Sequence, residues 1–323
     1  MPPVLQVLLI TFPFFALVLA GYLAARRRLL PLEAIPGLNG FVLFFALPCM
    51  LYRFGSTTPI AQLLDAKVAG LYLLCGLLVV GVTIAITLNA RIRWNDAAFG
   101  ALVAAFPNSG FMGVPLIVAL LGDSAAGTVI LTMVVDMLVT SSLCIALSRL
   151  DGAGGSGRSA VWPAARKALR GVLTNPMPWA IGLGGVASAW AFQLPGPVEK
   201  TVWLLADAAS PVALFTIGAV LARAQMTANH PMPLGDYLPV AALKLVVHPL
   251  LVLGAGLLAM RLGLGLSSAA LTVMVLTAAL PSASNVSLLA ERFGADNGRI
   301  ARIILVTTAV AFLTFSGAVT LLT

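Results

Sequence analysis

Charge is what this sequence has least of. Only 9% of the 323 residues are charged while 60% are hydrophobic, and the mean hydropathy is +1.03. A water-soluble domain needs polar cover for its outer surface, so this balance excludes one. Histidine is nearly absent too, with two in the chain, His230 and His248. They cannot supply the HExxH helix of a zinc intramembrane protease. The three cysteines, Cys49, Cys75 and Cys144, stand at no paired spacing inside apolar runs, which makes them small buried hydrophobes and not a disulfide frame. Two other enzyme signals are missing. Ser109 has no base in its own motif, and the "LGD" triplets at 121–123 and 234–236 fall in turns or loops, not in paired spans. Rings of charge and carbonyl-rich filters, the marks of a channel, are also lacking, but a midplane site and a pore can share residues, so an anion channel or facilitator stays open beside a secondary carrier.

Long apolar runs are present instead. A bilayer crossing needs about 20 mostly apolar residues, and ten stretches qualify: 4–25, 34–52, 68–90, 97–121, 124–148, 176–194, 201–222, 238–260, 267–290 and 303–322. They are continuous and too long for barrel strands, so the expected fold is an all-α polytopic membrane protein. The net charge of +8 suits a membrane surface and not nucleic acid, because of where the cations fall. One set of loops holds Arg26, Arg27, Arg28, Arg91, Arg93, Arg149, Arg158, Arg166, Lys167, Arg170, Arg223, Arg292, Arg299 and Arg302, fourteen in all; the alternate set holds four, Arg53, Lys67, Lys200 and Arg261. The positive-inside bias then puts the larger set in the cytoplasm and both termini outside. The Met1–Gln6 end carries no basic n-region, so the first span is expected to be retained.

The clearest linker is "DGAGGSGR", 151–158, followed by a basic segment with Trp162 that reads as amphipathic. It divides the chain into a first five-span unit, 1–150, a cytoplasmic linker, 151–172, and a second five-span unit, 173–323. Pro107 and Pro281 lie 174 residues apart, each within the fourth span of its half. Five is odd, so the second unit enters the membrane from the opposite side, the inverted-repeat plan of many secondary transporters.

Both fourth spans are interrupted: "FPNSGFMGVPL" at 106–116 and "LPSASNVSLL" at 280–289. Proline removes a helical hydrogen bond, and irregular backbone at membrane depth survives only where protein or a wet cavity satisfies it. Each break makes one half-helix N-terminus and one C-terminus, which together suit an anion at the N-ends and leave room for a cation at the C-ends. Candidate binding residues are Pro107, Asn108, Ser109, Gly110 and Gly113 in the first break and Pro281, Ser282, Ser284 and Asn285 in the second. Pro115 suits the first turn of its half-helix, where its missing N–H costs nothing. Ionisable residues within spans are functional candidates by default: Asp136, Asp207, Lys244 and His248. Asp136 and Lys244, on the spans flanking the two breaks, are expected to pair. No cofactor is expected, and the coupling ion is left open between proton and sodium. The partners are a small organic anion and the lipid bilayer, and a homodimer is compatible with the plan.

These motifs, with "FALPCMLYRF" at 45–54 and "SPVALFTIGAVLA" at 210–222, resemble the auxin efflux carrier family in its bacterial form. The resemblance covers essentially the whole chain. It implies ten helices related in fold to bile-acid symporters and sodium/proton antiporters, and a bacterial inner-membrane location. It also implies that the fourth and ninth helices cross at the substrate site and that an elevator-like core moves against a scaffold of helices one, two, six and seven. Pro107, Asn108, Pro281 and Asn285 would carry the crossing. Plant members have a proline–asparagine pair at both breaks, whereas Asn285 stands four residues after Pro281, so the second half of the site is expected to differ in shape.

Overall fold

The computed structural model describes residues 3–150, 176–227 and 232–322. The 151–172 linker, its Trp162 segment and His230 lie outside these residues. Among the described residues no strand forms, and the helices are α1 (Pro3–Arg26), α2 (Leu32–Thr57), α3 (Ala66–Thr87), α4 (Trp94–Ala105), α5 (Ser109–Leu121), α6 (Asp123–Leu147), α7 (Pro176–Ala189), α8 (Gly196–Thr227), α9 (Leu238–Arg261), α10 (Ser268–Ala279), α11 (Asn285–Phe293) and α12 (Asn297–Leu322). Seven of the described helices are long and apolar enough to cross a membrane. The α4–α5 and α10–α11 pieces are short because each pair is one interrupted apolar stretch.

Local signals set the ends. Asp65 caps α3, its Oδ1 accepting from the amides of Lys67 (2.9 Å) and Val68 (3.2 Å), and the Ser267 hydroxyl accepts from Ala270 N at the start of α10. Gly294, at φ 70°, closes α11 in the left-handed conformation open to glycine, and Ala295 N then reaches Ala290 O.

Packing sorts the helices into two groups. In one, α1 crosses α8 and α2 packs on α7 and α8. Glycine makes these approaches close: a Cβ on Gly218 would overlap the Val18 carbonyl oxygen, and one on Gly184 would lie 2.7 Å from the Tyr52 oxygen. In the other group α3, α4, α6, α9, α10 and α12 surround the breaks. Residues 97–105 of α4 and 273–279 of α10 are buried without interruption, so these half-helices are covered on every side, as uniformly apolar helices must be.

Two sequence expectations change here. Arg299 and Arg302, counted as loop cations, lie inside α12, and Arg299 is 2% exposed. Its Nε donates to Asp236 O and its Nη1 to Asp96 O, both at 2.8 Å. Two distant chain segments converge on this guanidinium, a tertiary event that local hydropathy does not register. Arg26, Arg53, Lys67, Lys200, Arg223, Arg261 and Arg292, also counted with the loops, belong to helices as well. The three cysteines are free, with Cys75 and Cys144 buried and Cys49 half-buried.

Candidate functional site

The two breaks pair with each other. Pro107 and Ser282 form an isolated antiparallel bridge: Asn108 N donates to Pro281 O at 2.8 Å and Ala283 N to Phe106 O at 3.0 Å. Backbone groups released by the prolines thus satisfy one another. Side chains complete the junction. The Ser282 hydroxyl donates to Val103 O (2.7 Å) in the last turn of α4, and Ser282 N donates to Thr307 Oγ1 (3.3 Å) on α12. Asn108 O receives the amides of Met112 and Gly113 as α5 begins with a π turn, Ser109–Gly113. Pro115 falls in the first turn of the regular helix that follows. Gly113 is a packing position, since a Cβ there would meet Leu280 Cδ1 at 2.7 Å.

A cavity of about 20 Å³ lies against this junction, room for about one water molecule. Pro107, Asn108, Gly110 and Asn285 line it from the breaks, with Met133 and Met137 of α6. Leu47 of α2 and Met177 of α7 close it from the other helix group. The cavity therefore lies between the two groups. Among the described residues the Asn108 side chain makes no hydrogen bond, and Asn285 Oδ1 is buried without a partner. The Asn285 amide can present either its oxygen or its nitrogen by a half-turn. Ser109 is buried in the turn, and Ser284 stands unbonded by its side chain at the start of α11. The first turns of α5 and α11 both meet this cavity, through Gly110, Phe111 and Asn285. Ser109 N already donates to Pro107 O, and Val286 N and Ser287 N to Ala283 O and Ser284 O, so what these N-ends add is their helix dipole.

A second polar cluster lies behind the junction, among α3, α6, α9 and α10. Asp136 (1% exposed) accepts from the Tyr72 hydroxyl (3.3 Å) and from Thr140 Oγ1 (3.1 Å). Lys244, fully buried, donates from Nζ to Ala278 O at 2.8 Å, and its Nζ lies 3.4 Å from His248 Nδ1. The Tyr72 and His248 rings lie 6.0 Å apart and join the two halves of the cluster. The expected direct Asp136–Lys244 ion pair does not form; each group has its own partners. Both sit in π turns, Asp136–Thr140 and Leu243–Val247, which turn extra side chains into the helix interface. Lys244 is in the interior, so its Nζ does not reach a polar surface. Its Nζ caps the C-terminal turn of α10 by donating to an otherwise unpaired carbonyl.

Known proteins resemble this sequence along nearly its whole length. The sequence pattern of the family described as "Membrane transport protein" matches residues 6–319. The chain belongs to this family. A Rhizobium meliloti relative named "Putative malonate transporter" is 30% identical over 311 residues, covering 95% of this chain and 93% of its own. An Escherichia coli K12 relative, "Uncharacterized transporter YfdV", is 27% identical and covers 87% and 86% of the two chains. A Methanothermobacter thermautotrophicus "Uncharacterized transporter", also 27% identical, covers 92% of each. The resemblance to auxin efflux carriers agrees with this membership.

Within this membrane transport protein, Asp207 stands apart from the other ionisable candidates. It pairs with Arg53 Nη1 at 2.7 Å, and its side chain is 66% exposed. An exposed pair of this kind contributes little to stability. Tyr72, Met133, Met137 and Met177 were not singled out in the sequence. Tyr72 carried a signal, a hydroxyl in the middle of an apolar span. The methionines carried none, because a lining methionine and a packing one look alike along the chain.

Proposed function

We propose that this membrane transport protein is a secondary carrier of a small organic anion, a carboxylate in the first instance. Ten membrane passages in two inverted five-span units, 1–150 and 173–323, work by alternating access. The observation that carries the reading is the antiparallel pairing of the breaks, with two helix N-ends on one cavity. Spans an odd number of passages apart run in opposite directions, and α4–α5 and α10–α11 stand in that relation when each counts as one passage. The C-ends already have donors from within the protein, the Ser282 hydroxyl on Val103 O and Lys244 Nζ on Ala278 O. What is left to the cavity is positive helix potential and the amides of Asn108 and Asn285, which favours an anion over a cation. The relative with a malonate name supports a short dicarboxylate as the first substrate to try.

A carboxylate is several times larger than the water-sized cavity. Binding thus requires the breaks to separate from Leu47 and Met177, and the boundary between the helix groups is where an elevator-like core slides on α1, α2, α7 and α8. Lys244 fills the position a coupling cation would take at the α10 C-end, so the proposed coupling ion is a proton exchanged through the Asp136–Tyr72–His248–Lys244 cluster. The proposed location is the cytoplasmic membrane of the cell.

Counterflow in proteoliposomes tests the carrier. Vesicles preloaded with unlabelled malonate should accumulate labelled malonate transiently, with saturable initial rates. A pH gradient should drive net uptake in the native protein and not in a folded Asp136→Asn/Lys244→Met variant, which still exchanges. Flux that rises linearly with malonate and shows no counterflow would identify a channel. A full panel of mono- and dicarboxylates without counterflow would overturn the anion reading.

A further inference from the structure

A large apolar groove lies on the flank of the molecule where α1, α8 and α12 meet, away from the crossed breaks. Its volume is about 620 Å³, and it is walled by side chains such as Phe12, Leu19, Leu221, Leu305 and Phe312. Tyr22 and Thr308 are the polar side chains in its lining, and the Thr308 hydroxyl is already satisfied by Ile304 O at 2.7 Å. Nothing in the groove asks for a polar ligand.

Its shape and rim do ask for something. The α1 wall runs from Phe12 to Leu23, about 17 Å at 1.5 Å per residue. Half of a bilayer's hydrocarbon thickness is about 15 Å, so the groove has the depth of one leaflet. Arg26, Arg27 and Arg28, all exposed, stand at one end, beyond Tyr22 and Leu23. The Arg26 guanidinium lies on the rim itself, donating to Tyr22 Oη at 3.0 Å. Among the described residues, the guanidiniums of Arg27 and Arg28 hold no partner.

We propose that this groove is a binding site for one anionic phospholipid, its acyl chain along α1 and α12 and its phosphate on the Arg26–Arg28 cluster. Ordinary lipid solvates any apolar flank. A cavity one leaflet deep with the Arg26–Arg28 cations at its headgroup end selects for a negative headgroup. A second copy of the chain fits less well. A two-fold axis along the membrane normal would set two arginine clusters at the same depth and facing each other. The groove also touches both α1 and α8 of the close-packed group and α12 of the group around the breaks, so a lipid seated there contacts both sides of the proposed sliding boundary.

The test uses the full-length protein in detergent, titrated with phosphatidylglycerol and with phosphatidylcholine of matched chains, and bound lipid counted by native mass spectrometry. Phosphatidylglycerol should bind at least about tenfold more tightly, as expected from three cations near one headgroup. The preference should fall to near parity in Arg26→Gln/Arg27→Gln/Arg28→Gln, whose exposed positions leave the lipid-free melting temperature unchanged. Filling the groove with Ala20→Trp should weaken both lipids alike. Equal affinity for the two lipids in the native protein, or a preference that survives the triple change, would overturn the proposal. So would unaltered binding in Ala20→Trp, displacement by glycerol phosphate alone, or a dimer mass whose cross-links map to Phe12 and Leu19.

Discussion

Asn108 and Asn285 reach one cavity from opposite ends of the sequence, and their surroundings differ. Asn108 is fixed by its backbone, which spans the bridge to Pro281 and starts α5, while its side chain is left free of hydrogen bonds. Asn285 opens α11 with an amide oxygen buried and unmatched. Leaving such a group unpaired costs roughly 1–3 kcal/mol, a cost that a bound ligand or water removes. Hydrogen bonds to a charged group contribute about 1.5–3 kcal/mol. Asn108→Ala and Asn285→Ala should therefore each weaken carboxylate binding by about ten- to a hundredfold in calorimetric titration. Asn285→Ala should be neutral or slightly stabilising, because it deletes an unsatisfied group. Unchanged affinity in both variants would make the two asparagines parts of the junction and nothing more.

Among the helices, close approach decides which elements move together. The α1–α8 crossing depends on Gly21 and Gly218, where a side chain would run into the Phe215 and Val18 carbonyls. Gly254 on α9 faces open space. Gly218→Ala should cost about 1–3 kcal/mol through overpacking, read as a lower melting temperature, whereas Gly254→Ala should gain up to about 1 kcal/mol from helix propensity. Equal shifts for the two would mean that α1 and α8 are not in contact at Gly218. The same contrast shows what the sequence could disclose. The breaks were legible because proline and glycine interrupt an apolar run, and the runs themselves set most helix bounds to within a few residues. The pairing of Pro107 with Ser282 was not legible, since it depends on two segments 175 residues apart meeting. Nor were the π turns around Asp136 and Lys244, which leave no mark in hydropathy. Two groups expected to pair are each turned towards a different partner. Arg299 misled for a related reason: an arginine at a helix start looks solvated until two carbonyl-bearing segments, at Asp96 and Asp236, close over it.

At the scale of the whole chain, direction is the property that the proposed mechanism needs most. Tyr22 of α1 hydrogen-bonds Gln225 of α8, and Ala25 clusters with Ala219, Val220 and Ala222. The arginine end of α1 thus lies beside the C-terminal end of α8. Parallel α1 and α8 require an even number of passages from one to the other, and the antiparallel bridge requires an odd number between the breaks. Both conditions hold when α4–α5 and α10–α11 each make one passage and α7 makes another. The loop at 88–93 then lies five passages from the loop at 262–267, on the opposite face. The cation count assigns the first loop to the cytoplasm. Single cysteines at Ala90 and at Leu264, 58% exposed, report on this directly once Cys49, Cys75 and Cys144 are replaced. An impermeant maleimide applied to spheroplasts should label Leu264→Cys at once and Ala90→Cys only after permeabilisation. The reverse pattern would turn the molecule over in the membrane and leave its internal parity intact. Labelling of both from outside would remove the odd count between them, and with it the inverted repeat on which alternating access through the crossed breaks depends.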